Sequence, residues 1–205
     1  MKDIVDMKNI GIDLFKNIIK EARHDPTILD SYSPNQFKSK ENLLEHIDMF
    51  LLEKPNVVIL GSWFGSILVP ALADMANEIS CIDIDDRVIG VGKSRLFTMY
   101  DNVDWITSDV FHKDRYDRIK NADLIINTSC EHMADMSSLS PLKKSNAHFA
   151  FQSNDMYSIK THVNCVSSLD EFINQLPTNA KILSKDEIKD NRGTRFTVTG
   201  KLCAE

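Results

Sequence analysis

The chain has 205 residues, 42% of them hydrophobic and 26% charged, enough to bury one sizeable core and too few for two comfortable domains. A formal charge of −6 and the absence of a Lys/Arg run give no attraction to a phosphate backbone and disfavour nucleic acid as a partner. No stretch reaches the roughly 18–20 apolar residues of a membrane span, and the first residues lack a signal peptide's apolar core, so a cytoplasmic location without membrane contact is expected.

Residues 3–22 place Ile4, Met7, Ile10, Leu14 and Ile18 at helical spacing. The stretch "DPTILDSYSPNQF", residues 25–37, carries two prolines and several turn formers and reads as a loop. A second helix is expected from Lys40 to Glu53, with Leu43, Leu44, Ile47, Phe50 and Leu51 on one face, stopping before Pro55. Residues 1–54 are thus an N-terminal helical cap, and 55–205 form the α/β part of one compact unit.

From Pro55 the pattern alternates. Short apolar runs at Val57–Leu60, Ile79–Ile84, Val103–Ile106, Leu124–Asn127 and Ala147–Gln152 read as parallel strands buried on both faces. Helices are expected between them at Ile67–Ala76, where Pro70 must fall in the first turn or kink the helix, and at Arg87–Met99. The tail, residues 180–202, has a short apolar run, a charged connection through Arg192-Gly193, and "TRFTVTGKL", whose β-branched alternation suits an antiparallel closing strand. The four cysteines (Cys81, Cys130, Cys165, Cys203) are spaced like packing thiols. The six histidines contain no His-x-x-x-His pair, so no metal is expected from local spacing.

The first strand runs into Gly61-Ser62-Trp63-Phe64-Gly65, and the second strand brings an acid, Asp83, 22 residues after Gly61. A glycine turn followed by an acid at this distance is the logic of a dinucleotide site, in which a carboxylate accepts both ribose hydroxyl protons. Trp63 occupies the spot where a small residue lets a ligand approach the backbone. Ordinary φ and ψ at Trp63 would leave that approach open; otherwise the indole fills the pocket.

These strand ends, taken together, resemble a class I S-adenosylmethionine-dependent methyltransferase over about Asn56 to Leu202. Gly61 and Gly65 match the outer glycines of the family's Gly-x-Gly-x-Gly turn, and Asp83, followed by Ile84, matches its ribose-binding acid. Ser108-Asp109-Val110 stands where the family reads the adenine amino group, and Asn127 with Glu131-His132-Met133 matches its fourth strand and following loop. The resemblance implies a Rossmann-like, doubly wound α/β fold with a mainly parallel seven-stranded sheet and an antiparallel last strand. It implies S-adenosylmethionine as cofactor, a small-molecule acceptor, and Gly61, Ser62, Trp63, Gly65, Asp83, Ile84, Ser108, Asp109, Val110 and Asn127 as cofactor-binding residues. Glu131 and His132 are the catalytic candidates, the histidine as a base or as part of the pocket floor.

Two departures stand out. Ile59 takes the place of the family's acid at the end of the first strand, and Trp63 that of its middle glycine. An enzyme that transfers the cofactor's aminocarboxypropyl group or cleaves the cofactor, and a non-catalytic protein on the same fold, therefore stay open beside methyl transfer. An NAD(P)-linked oxidoreductase fits less well, because Gly-x-Gly-x-x-Gly is absent. The cluster Gln152, Asn154, Asp155, Tyr157, His162 and Asn164 is a further candidate for substrate contact, and Ser31–Phe37 for a lid.

Overall fold

A computed structural model describes residues 11–47 and 53–204. The expected beginning of the first helix, with Ile4, Met7 and Ile10, and the end of the second, with Phe50 and Leu51, lie outside the described residues.

Seven strands form one sheet in the order β3-β2-β1-β4-β5-β7-β6. The strands are β1 (Asn56–Leu60), β2 (Glu78–Asp83), β3 (Val103–Thr107), β4 (Leu124–Asn127), β5 (His148–Asn154), β6 (Ala180–Lys189) and β7 (Thr194–Leu202). The first five run parallel to one another, and β7 runs antiparallel between β5 and β6. Strand order reverses at β1, whose neighbours are β2 and β4, so a crevice opens beyond the carboxyl end of β1.

The apolar runs of β1 and β4 are continuous because both sheet faces are covered. Val57 and Ile59 join the core on one side, with helices α1 (Ile12–Ala22), α3 (Pro34–Ile47), α4 (Leu68–Leu72) and α5 (Asp86–Val91). Val58 and Leu60 join the core on the other, with Ile119 of α6 (Tyr116–Lys120) and Phe172 of α7 (Leu169–Asn174). Leu14, Ile18, Leu43, Leu44 and Ile47 of the N-terminal helices belong to the first of these cores.

Three expectations need correction. Residues 25–37 are not a loop: a short α2 (Thr27–Asp30) is followed by α3, which starts at Pro34, where the missing N–H costs nothing. Within the segment considered as a lid, Ser31 is buried and shares a 2.6 Å hydrogen bond with Ser66, and Ser31, Ser33 and Gln36 line the crevice. The helix expected at Arg87–Met99 ends as α at Val91 and continues as one π turn, Gly92–Leu96, closed by Phe97 N–H donating to Gly92 O at 3.1 Å. Trp105 explains the glycine there, because a Cβ on Gly92 would stand 2.4 Å from its ring. Trp105 is buried against Phe97, with ring centroids 5.8 Å apart, and does not reach the crevice.

Finally, β6 extends to Lys189 through residues that read as a charged connection. It is an edge strand whose side chains alternate between half-buried and exposed, so charges are tolerated along it. Pro70 does fall in the first turn of α4.

Candidate active site: a glycine-type turn facing a polar floor

The crevice beyond β1 is a cavity of about 1030 Å³. Its wall includes eleven of the twelve cofactor-binding and catalytic candidates: Gly61, Ser62, Trp63, Gly65, Asp83, Ile84, Ser108, Asp109, Val110, Glu131 and His132. Asn127 is not in the wall. It is fully buried, accepts from Ser129 N–H at 2.8 Å and donates toward the sulfurs of Met133 and Met136, so it holds the loop after β4.

The turn after β1 runs through three left-handed residues, Gly61 (φ 63°), Trp63 (φ 50°) and Gly65 (φ 68°). Trp63 thus takes a glycine's backbone conformation, not the ordinary one considered from sequence, at a cost of roughly 1–2 kcal/mol for an L-residue. Asp83 holds it there. One carboxylate oxygen accepts from Trp63 N–H at 2.7 Å and the other from Asp85 N–H at 3.0 Å. Asp85 is the helix N-cap of α5, accepting from Arg87 N–H.

The indole does not plug the cavity. It is half-buried in the wall and tilted against Phe64, with ring centroids 5.4 Å apart. The outer glycines are required sterically: a Cβ on Gly65 would meet Val69 at 2.7 Å and Trp105 at 2.8 Å, and one on Gly61 would meet Met133 at 3.0 Å.

The neighbouring strand ends are tied to this turn. Ser108 N–H donates to Asp83 O at 2.8 Å, and Ser129 Oγ–H donates to Gly61 O at 3.2 Å. Ile84 follows β2 instead of ending it and is 73% exposed at the cavity rim. Asp109 accepts from Phe111 N–H at 2.9 Å, closing its own turn. Ile59 is buried in the core.

A second part of the wall is built from side chains. Glu131 is 3% exposed; its Oε1 accepts from Asn154 Nδ2 at 2.5 Å and lies 3.6 Å from Arg195 Nη1, while Oε2 has no hydrogen-bond partner among the described residues. His132 lies on the exposed rim with Nδ1 3.0 Å from Thr161 O. His162 Nδ1 is 3.0 Å from Asn154 Oδ1, and the two imidazoles meet edge to face at 4.6 Å. Burial lowers the His162 pKa, opposed by the nearby Glu131 carboxylate.

Lys40 of α3 also lines the cavity and donates to Gln36 Oε1 at 2.7 Å. Burial, and then the Arg195 charge, lower its pKa to about 7, against the opposing pull of Glu131. Gln152 ties α3 to the sheet by donating to Ser39 O and Thr197 Oγ1.

Of the polar cluster expected after β5, only His162 reaches the cavity. Gln152 and Asn154 are buried strand residues, Asp155 accepts from Thr194 N–H, Tyr157 faces solvent, and Asn164 donates to Asp135. Sequence reading missed Arg195 and Lys40. A lone arginine inside the β-branched alternation of "TRFTVTGKL" was the available signal; Lys40 gave none.

Comparison with solved structures identifies this architecture. The N-methyltransferase NodS from Bradyrhizobium japonicum WM9 aligns with a TM-score of 0.66 at 16% identity, over 85% of this chain and 99% of that one. The fold is that of the class I S-adenosylmethionine-dependent methyltransferases. A methyltransferase of this kind from Aquifex aeolicus aligns with a TM-score of 0.63 at 18% identity, over 87% of this chain and 99% of that one. The magnesium protoporphyrin IX methyltransferase of Synechocystis PCC 6803, solved with bound SAH, aligns with a TM-score of 0.65 at 10% identity, over 95% of both chains. No protein-family model and no curated protein sequence matches the chain. Among the described residues no helix is long and apolar enough to cross a membrane.

Proposed function

We propose that the protein is an S-adenosylmethionine-dependent methyltransferase acting on a small-molecule acceptor. The observation that carries this reading is the turn at residues 61–65. A non-glycine residue is held in a glycine's conformation by the Asp83 carboxylate, so the methyltransferase loop path persists where its sequence has been lost. Such strain is kept where a site depends on the path of the backbone.

A carboxylate has about four acceptor positions, and Asp83 uses two on backbone amides, which leaves capacity for ribose hydroxyls. Ile84 and Val110 supply apolar surface for an adenine, with Ser108 and Asp109 beside it as polar contacts. A cavity of about 1030 Å³ has room for the cofactor and a small acceptor.

Methyl transfer asks little of the protein. The cofactor supplies the activated methyl group, and the chain must orient the acceptor, exclude water and, where needed, take a proton. Glu131 and His132 lie on the acceptor side, Glu131 as an anchored anion and His132 at the rim. Lys40, with its pKa near neutrality, is placed to accept a proton. Four cysteines without a disulfide support a cytoplasmic location.

Calorimetric titration of S-adenosylmethionine and S-adenosylhomocysteine tests the reading, with Asp83→Ala as control. Saturable binding that the variant loses is the expected result; heat-silent titrations of folded protein would reduce the likeness to a shared fold. Product analysis then separates the enzyme classes: S-adenosylhomocysteine marks methyl transfer and methylthioadenosine marks aminocarboxypropyl transfer.

A further inference from the structure

We infer that Glu131, His132 and His162 form a binding site for a divalent first-row transition metal on the acceptor side of the cavity. One potential ligand atom from each residue lies within 4.8 Å of the other two, although the residues come from two loops about thirty positions apart. Two imidazoles and a carboxylate are a donor set suited to zinc, iron or cobalt.

The hydrogen bonds around the trio point the same way. Thr161 O can only accept, so His132 Nδ1 carries the ring proton and its Nε2 presents a lone pair. Asn154 is oriented by two contacts: its Nδ2 donates to Glu131 and its Oδ1 accepts from Met156 N–H at 2.9 Å. His162 Nδ1 must therefore donate to that same Oδ1, and its Nε2 is also left with a lone pair. Backbone carbonyls and amides that fix the far nitrogen of each imidazole are the usual second layer of a metal site.

Glu131 completes the set. Its Oε1 is engaged by Asn154 and Arg195, whereas Oε2, on a side chain 97% shielded from solvent, has no partner among the described residues. An unsatisfied buried carboxylate oxygen is costly, and a cation would satisfy it. Arg195 pairs with Oε1 and leaves Oε2 to the ion, but its charge also weakens cation affinity. A site of moderate strength results, favoured further when an anionic oxygen or sulfur of the acceptor enters the open coordination positions.

Titration of tag-free protein with Co²⁺, followed by visible d–d absorption and by competition with Zn²⁺, tests the inference. One equivalent of absorbing Co²⁺, displaced by Zn²⁺, is expected. His132→Ala and His162→Ala should each weaken it at least about 10-fold while thermal unfolding shows both variants folded. His132 is exposed, so its substitution probes the site without emptying the core. Absence of a saturating band, or a band that survives in both variants, would overturn the proposal. The readout requires no cofactor and no turnover, so a failure here is distinct from a failure of the methyl-transfer reading.

Discussion

The two sides of the cavity are made in opposite ways. The turn side is mostly backbone: three left-handed residues, strand-end amides and one carboxylate, all within residues 61–85 apart from the ties to Ser108 and Ser129. The floor side consists of side chains from α3, the loop after β4, the loop after β5 and β7, converging on Glu131. A backbone site tolerates changes of side chain provided the chain path is kept, which is how Trp63 replaces a glycine. A side-chain site has no such tolerance, because each buried charge depends on its partner.

The largest expected effect tests the floor. Arg195→Met leaves Glu131 as a buried carboxylate without its cation and should cost about 3–5 kcal/mol in urea unfolding. Adding Glu131→Gln to that background should recover much of the loss; a loss below about 1 kcal/mol in the single variant would mean that this side is not held by charge. Next comes Asp83→Ala, which removes the clamp on Trp63 and Asp85 together. At about 1.5–3 kcal/mol for a charged hydrogen bond, S-adenosylhomocysteine affinity should fall by roughly 10- to 150-fold in calorimetry.

A smaller effect concerns pH. The pKa of Lys40 is lower in the folded protein, about 7, than its ordinary value of 10.5, so the unfolded chain binds the proton more tightly. Its penalty on folding is therefore full below pH 7 and disappears as the pH rises toward 10.5. Lys40→Met should flatten the rise in stability over that window, and an unchanged slope would place the titration elsewhere. The smallest effect is expected at the turn. Trp63→Gly trades lost packing for relief of about 1 kcal/mol of left-handed strain, so net destabilisation should stay below about 1 kcal/mol. A loss near the roughly 3 kcal/mol of a truncated core tryptophan would show that the indole, not the backbone path, holds the turn.

The same division explains what could be read in the sequence. Parallel strands declared themselves as apolar runs, and Gly61, Gly65 and Asp83 as a spaced motif, because each signal lies within a few tens of residues. The left-handed Trp63 was illegible: its conformation is imposed by Asp83 across a gap of 20 residues. The meeting of His132 with His162 could not be seen in spacing either, since β5 intervenes. The charged residues of β6 resembled a loop because an edge strand need bury only part of one face. Pro34 resembled a loop because the same residue serves a turn or the first position of a helix.

Among the described residues strand β6 pairs with β7 only, and β7 is in turn the partner of β5. Arg195 stands opposite Asn154 in the β5–β7 register, the residue that also donates to Glu131. The counter-charge of the pocket therefore hangs on one ladder rung: a slip of that pairing by a residue would turn Arg195 to the other face of the sheet and leave Glu131 without it.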